Sequence, residues 1–216
     1  MMDFLSFTAT YLPYVARGIV VTVELTLLSL AGSLILGLLA ALAKGSKRRW
    51  LAVLATAYVE VLRGTPALLQ IFVIYFGLAS YGVRIDPLPA AAITLSVLGG
   101  AYVTEIIRAG IEAVDRGQVE AAESLGMSRA AIMRRIVLPQ ATVMMMPPFT
   151  NYLISLIKDT SLALTISVPE IMYRSYDVAS QTFRSMDIYL IAGVIYLAMC
   201  FPLSRLARRL ERRNAR

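Results

Sequence analysis

The chain has 216 residues, of which 58% are hydrophobic and only 16% are charged, and its mean hydropathy is +0.68. A soluble domain carries about a quarter charged residues, so this composition predicts an integral membrane protein instead. One cysteine and no histidine exclude a disulfide framework, Cys/His metal sites and histidine-dependent catalysis, and no Gly-rich phosphate-binding loop with its lysine is present.

Five apolar stretches predict membrane-spanning helices in an all-α protein with a single transmembrane domain, residues 1–216. Crossing the apolar core of a bilayer takes about 20 predominantly apolar residues. The stretches lie at about 18–43, 51–78, 88–107, 141–157 and 188–206. Prolines interrupt the fourth stretch, at Pro147 and Pro148, and the fifth, at Pro202. Membrane helices tolerate proline where neighbouring protein satisfies the freed carbonyl groups.

The first predicted helix carries small and hydroxylic residues at intervals of three and four, which places them on one face. Such a face lets two helices approach closely in lipid, where packing replaces the hydrophobic drive. We therefore predict a helix–helix contact along it rather than a substrate path. The residues are Gly18, Thr22, Thr26, Ser29, Ser33, Gly37 and Ala40.

The net charge of +7 arises from 21 basic and 14 acidic residues, and the basic ones alternate in density between the connecting segments. One set of segments holds 15 Lys or Arg, the other holds five, and Arg63 lies inside a helix. Because cytoplasmic segments are enriched in Lys and Arg, the N-terminus is predicted outside and the C-terminus in the cytoplasm. The positive charge is assigned to topology and to anionic membrane lipid, and no nucleic-acid partner is expected.

The segment between the third and fourth helices, residues 108–139, is unusually polar and predicts two short helices. The first closes at Gly126, a residue suited to a helix C-terminus. Ser128 can cap the second helix, which Pro139 is expected to interrupt. By composition alone, the segment is equally compatible with a solvated helical hairpin at the membrane surface.

Two features of this segment favour contact with another protein. Ala121 and Ala122 present almost no side chain, so a partner can pack directly on the backbone. The spacing also resembles the EAA loop of ABC-importer permeases, and we take as coupling residues Glu120, Ala121, Ala122, Glu123, Gly126, Ile136, Leu138 and Pro139. The resemblance implies that the loop inserts into a cleft of a cytoplasmic ATPase. ATP is then bound by that separate subunit, and the permease has no cofactor of its own.

Three further segments are similar to polar amino acid permeases of the glutamine, cystine, histidine and arginine branch: residues 60–66, 101–108 and 158–162. Five spans with the N-terminus outside are also typical of that branch. The resemblance implies a multi-pass protein of the bacterial inner membrane that imports polar amino acids or related compounds and is not itself an enzyme. It implies as partners a second permease copy or paralogue, an ABC ATPase dimer and an extracytoplasmic substrate-binding protein.

Ionisable residues at membrane depth are costly unless paired or hydrated, so each is a functional candidate. Glu60 and Arg63 lie three residues apart on one helical face, and Glu105 and Arg108 repeat that spacing. A structural ion pair is the favoured interpretation for the first pair, while an ion pair and a functional role are equally supported for the second. Glu60 and Glu105 are kept as candidate substrate-binding residues.

The most informative charge is Asp159, which follows the fourth span. We predict that the helix breaks at Asp159, Thr160 and Ser161 and that a polar helix occupies about 169–183. Broken backbone at membrane depth is allowed where it lines a protein-buried or wet cavity. The carboxylate can accept an amino acid ammonium, while hydroxyl and N–H groups at the helix end meet the substrate carboxylate. The alternative is that Asp159 caps the next helix and Lys158 reaches the interface.

A transporter driven by an ion gradient is the main alternative, since it too would use buried carboxylates. That interpretation predicts an inverted repeat, which we do not find in the sequence, and it leaves the polar loop unexplained. The sequence shows no clustered set of metal ligands or acid/base groups, so neither a metal site nor a membrane enzyme is predicted.

Overall fold

The computed structural model describes residues 3–214, with side chains as far as Glu211. This part of the chain consists of helices and short connections without any strand, which confirms the all-α prediction. The α-helices are α1 (Phe4–Ala16), α2 (Gly18–Lys44), α3 (Arg49–Gly64), α4 (Ala67–Phe72), α5 (Leu78–Ser80), α6 (Pro87–Glu112), α7 (Arg116–Ser124), α8 (Arg129–Ile132), α9 (Leu138–Asp159), α10 (Ile171–Thr182) and α11 (Ser185–Asn214). Two π-helical turns, Val73–Gly77 and Met133–Val137, and a 3-10 helix, Thr160–Ile166, join some of them.

Three helical units of the described chain are long and apolar enough to cross a membrane: Phe4–Lys44, Pro87–Glu112 and Ser185–Glu211. A fourth is obtained if α3 and the unit Ala67–Ser80 are taken as one bent span. Helix α9, which contains the predicted fourth span, is not among them. Several apolar helices are therefore confirmed, while the count of five spans and the orientation stay predictions.

The predicted second span, 51–78, is wrong as a single helix, because the chain bends by 108° between α3 and α4. Pro66 has no N–H to donate, and Thr65 before it is extended, with φ −115° and ψ 145°. The Gln70 side-chain amide then donates to the carbonyl oxygens of Leu62 and Thr65, at 2.8 and 3.2 Å. Gln70 thereby satisfies backbone acceptors that the break leaves free, as backbone in an apolar surrounding requires.

The small and hydroxylic face of α2 packs against α6, which confirms the predicted helix–helix contact. Thr22, Ser29 and Ser33 are fully buried. A Cβ atom at Gly37 would lie 2.5 Å from a side-chain carbon of Val103 on α6, so any larger residue would push the two helices apart. This close contact fixes α6, which forms one wall of the cavity described below.

The polar segment after α6 forms two short helices, α7 and α8, as predicted. The second helix does not end at Pro139, however, because α8 continues through the π turn Met133–Val137 into α9. Pro139 lies in the first turn of α9, where the change of hydrogen-bond register at the π turn accommodates its missing N–H. Pro147 and Pro148 also lie inside α9 without ending it.

The helix breaks after Asp159, where the sequence predicts a break. The chain tightens into the 3-10 helix Thr160–Ile166, turns at Ser167 and enters α10 after Glu170. Helix α10 ends at Thr182, just before Phe183, and contacts α1, α2 and α11. Together with α1, α2 and α11 it surrounds a cluster of buried residues: Phe7, Val15, Ile171, Val178, Ala179, Ile188, Ile191, Ala192 and Ile195.

Candidate substrate cavity and ATPase-coupling loop

A cavity of about 490 Å³ lies between α6 and α9. Leu95 and Leu98 contribute to its apolar wall on α6. Its polar wall belongs to α9, where Asn151, Ser155 and Asp159 recur every four residues and so share one helical face. The other lining residues are Gly99, Tyr102, Ile106, Pro148, Tyr152 and Leu156. Sequence analysis identified Asp159 but missed the other two polar residues, although their spacing was a usable signal.

Asp159 is the charged residue of this cavity. Its side chain is half-buried at the end of α9, and it makes no hydrogen bond that would cap the 3-10 helix after it. Among the side chains described, those of residues 3–211, we find no ion pair to its carboxylate, including one from the neighbouring Lys158. The capping alternative is therefore wrong, and the carboxylate is free to accept a positively charged ligand group.

Tyrosine rings hold one side of the cavity in place. The rings of Tyr102 and Tyr152 are stacked, with centroids 6.3 Å apart and planes inclined by 20°. The Tyr152 hydroxyl donates to Oγ of Ser33 on α2 at 2.8 Å. The guanidinium carbon of Arg63 on α3 lies 5.4 Å from the centroid of the Tyr102 ring. These contacts tie the cavity walls to two further helices.

The hydroxyl groups predicted to assist Asp159 point elsewhere in this structure. Thr160 is fully buried, and its hydroxyl donates to the carbonyl oxygen of Ile157 at 2.7 Å. The Ser161 hydroxyl donates to the carbonyl oxygen of Lys158 at 2.7 Å. Neither residue lines the cavity, so the polar partners of Asp159 come from the preceding turns of α9.

The ion pair predicted between Glu60 and Arg63 is not found in the described chain, and neither is the ion pair considered as one of two alternatives for Glu105 and Arg108. Nζ of Lys44 lies 2.7 Å from Oε1 of Glu105, because α2 and α6 pack closely enough for the end of α2 to reach it. Glu60 is exposed in a separate groove along α3. Both glutamates lie outside the cavity, and their role in substrate binding stays a prediction.

Hydrogen bonds within the predicted coupling loop define its conformation. Asp115 caps α7 by accepting from the N–H of Gly117 at 2.7 Å, and Ser128 caps α8 by accepting from the N–H of Ala131 at 3.3 Å. Gly126 follows α7 in the left-handed conformation, with φ 75°. Nothing lies within 4 Å of an added Cβ there, so glycine is favoured by the backbone turn and not by close packing.

The two alanines of the loop face different environments, which corrects the prediction that both are open to a partner. Ala122 is 3% exposed, because it packs in a cluster that includes Ile132 and Ala141. Ala121 is exposed, and so is Leu125, whose exposed fraction is 82%. An exposed leucine beside a small residue is an apolar contact that a docking protein can bury. Sequence analysis had not singled out Leu125.

The acidic residues of the loop border a second cavity, of about 520 Å³, between α6, α7 and α8. Glu120 and Glu123 are exposed at its edge, where basic side chains of α7 and α8 also contribute. Leu138 and Pro139 are exposed at the start of α9, and Ile136 is half-buried in the π turn before it. All the predicted coupling residues except Ala122 are therefore at least partly accessible.

Comparison with known proteins shows which family has this arrangement. A family model described as "Binding-protein-dependent transport system inner membrane component" matches residues 33–216. The chain belongs to this family. The permease is 41% identical over 205 residues to the L-cystine transport system permease protein TcyB of Bacillus subtilis (strain 168), covering 94% of this chain and 88% of that relative. It is 37% identical over 213 residues to the arginine transport system permease protein ArtQ of the same organism, covering 98% and 97%.

A solved structure supports the same assignment. A chain in a crystal structure of an amino acid ABC transporter with histidines matches the permease with a TM-score of 0.93 at 38% identity, over 99% of each chain. The resemblance inferred from the EAA loop is therefore confirmed. The protein is an ABC-transporter permease and an integral inner-membrane component.

Proposed function

We propose that this chain is the permease subunit of an ATP-driven importer for polar amino acids or related compounds, that it works as a dimer, and that a separate ATPase binds the ATP. The observation that carries the proposal is the Asp159 carboxylate, which has no ion pair among the described side chains, in a cavity between two helices of an ABC-transporter permease. No catalytic step is assigned to the chain itself.

The chemistry of the cavity suits an amino acid. Asp159 can accept charge-assisted hydrogen bonds from an ammonium group. Asn151 and Ser155, two turns and one turn earlier on the same face, offer an amide and a hydroxyl to the substrate carboxylate. Tyr102 and Tyr152 border the space that would receive the side chain. The transport of cystine and of arginine named for two relatives supports this substrate class.

The exposed charges of α3 support a second permease copy. Glu60 and Arg63 are exposed on this helix, within a segment predicted to lie at membrane depth. Charged side chains at that depth face protein or water, because lipid cannot solvate them. We infer that α3 faces a second copy or paralogue, or the pathway between the two.

The coupling loop supports the proposed ATPase contact. Its exposed Ala121 and Leu125 form an apolar surface, and Glu120 and Glu123 add acidic groups beside it. Closure of an ATPase dimer would move this loop, and α9, which continues from it through the π turn, would carry the movement to the cavity. An extracytoplasmic binding protein would deliver substrate on the opposite side of the membrane.

Uptake into lipid vesicles tests the proposal. The permease is reconstituted with its ATPase and binding protein, and uptake of a panel of labelled amino acids is measured with ATP or with an ion gradient. We expect uptake to require ATP and both partners. Uptake by the permease alone, driven by the gradient, would contradict the proposal and support a secondary transporter.

A further inference from the structure

Glu170, at the start of α10, is a fully buried carboxylate whose role the proposed function leaves open. Its two oxygens accept hydrogen bonds from the N–H of Tyr173 at 2.6 Å and of Met172 at 2.8 Å, so it caps its own helix. One of these oxygens also accepts from the hydroxyl of Tyr196 on α11, at 2.7 Å. A single buried carboxylate thus joins two helices.

Helix α2 closes the same junction from another side. A Cβ atom at Gly18 would lie 2.6 Å from the backbone nitrogen of Ile171, so the two backbones are in direct contact. The N–H of Ile171 also donates to the hydroxyl of Thr22 at 3.4 Å. The 3-10 helix Thr160–Ile166, which directly follows α9, also contacts α10. Buried polar groups therefore connect α2, α10 and α11, and the segment after α9 packs against α10.

Helix α10 lies between two residues in the left-handed conformation. Ser167 precedes it with φ 65°, and Phe183 follows it with φ 56°. Side chains other than glycine adopt this conformation at an energetic cost, so these positions mark enforced changes of chain direction. Between them, α10 is held from the side of α1 as well, because the Tyr14 hydroxyl donates to Asp177 at 2.7 Å. Helix α10 is thus a short body between two turns, held by a few polar contacts and an apolar face.

We propose that the contact between Glu170 and Tyr196 is a latch that holds α10 in this arrangement, and that its release is a step of the transport cycle. Removing the hydroxyl leaves a buried carboxylate with one partner fewer, so the contact favours the latched state. The 3-10 helix that follows Asp159 contacts both α9 and α10, so a shift of the α9 end would act on the latch. The inference rests on the permease working with an ATPase, and it does not require Asp159 to bind substrate.

The variant Tyr196→Phe tests the latch, since it removes one hydroxyl and keeps the ring that packs in the core. The complex of permease, ATPase and binding protein is reconstituted in lipid vesicles. ATP turnover is measured without binding protein and substrate, and uptake is measured with both. We expect the basal turnover to rise, by at least about tenfold for the loss of one hydrogen bond to a charged group, and the uptake per ATP to fall.

Tyr189→Phe is the matched control, because it removes the same group from the same helix. No hydrogen bond of the Tyr189 hydroxyl is found among the described residues, so neither rate should change. Thr22→Val removes the acceptor of the Ile171 N–H and tests the junction from α2. As for Tyr196→Phe, we expect the basal turnover to rise and the uptake per ATP to fall, but by smaller amounts.

A different result is expected if the contact between Glu170 and Tyr196 only stabilises the fold. If Tyr196→Phe and Thr22→Val lower basal turnover and uptake in parallel, or behave like Tyr189→Phe, the latch is wrong. Failure of the proposed import function is recognised separately, because the unaltered permease would then show no ATP-dependent uptake.

Discussion

Asp159 illustrates how one residue acquires its chemistry from the fold. Its identity and its place after the fourth span can be read from the sequence. That its carboxylate is available to a ligand cannot be read from the sequence. This depends on α6 and α9 enclosing a cavity, and on the next helix receiving no capping hydrogen bond from Asp159. Asn151 and Ser155 become partners only once α9 is known to continue unbroken through its prolines.

The substitution Asp159→Asn keeps the size of the side chain and removes its charge. We expect the affinity of the assembled importer for its amino acid to fall about 10- to 150-fold, which corresponds to the roughly 1.5–3 kcal/mol of a hydrogen bond to a charged group. The measurement is the substrate concentration dependence of uptake. Glu105→Gln is the companion test: it removes the other candidate carboxylate, which binds Lys44 outside the cavity, so we expect a smaller fall in affinity than for Asp159→Asn. An unaltered affinity for Asp159→Asn would remove this residue from the site.

At the scale of elements, the break between α3 and α4 shows where hydropathy fails. Hydropathy counts apolar residues along 51–78 and predicts one helix. Pro66 is visible in the sequence, but the bend of 108° also depends on Gln70 folding back onto carbonyl groups five and eight residues earlier. In the coupling loop, too, some features follow from the local sequence and others from packing in the fold. Its two helices follow from local signals, whereas the burial of Ala122 depends on packing against α8 and α9.

The variant Gln70→Leu tests the bend. It leaves the carbonyl groups of Leu62 and Thr65 without their donor, and we expect the free energy of unfolding to fall by about 1–3 kcal/mol. Thermal unfolding of the purified permease in detergent measures the change. Gln181→Leu serves as the control, since Gln181 is exposed on α10. An equal loss of stability in both variants would show that Gln70 has no special role at the bend.

Two variants of the coupling loop separate docking from packing. Leu125→Ser removes an exposed apolar side chain, so we expect unchanged thermal stability but weaker co-purification with the ATPase. Ala122→Leu adds volume at a buried position, so we expect a loss of about 1–3 kcal/mol in the stability of the loop region. If Leu125→Ser binds the ATPase as well as the unaltered permease does, the exposed leucine is not part of the contact.

At the scale of the whole molecule, the properties that could be predicted are those that depend on composition and spacing. The membrane class, the first and third spans and the EAA loop belong to this group. The fourth span is harder to recognise, because the residues that form the polar wall of the cavity on α9, Asn151, Ser155 and Asp159, also make the helix less apolar. A functional site inside a membrane protein thus weakens the very signal by which its helix would be detected.

The small and hydroxylic face of α2 has a consequence for how the chain is synthesised. Helix α2 leaves the ribosome before α6, and α3, α4 and α5 are made in between. Until α6 arrives, Ser29, Ser33 and Gly37 lack the helix against which they pack, so the nascent chain passes through a stage that membrane proteases can recognise. In a pulse–chase experiment, a fragment ending at Ser80 should be degraded faster than one ending at Glu112, and equal half-lives would argue against this. The close packing of α2 against α6 therefore makes the survival of the nascent chain depend on how soon translation reaches α6.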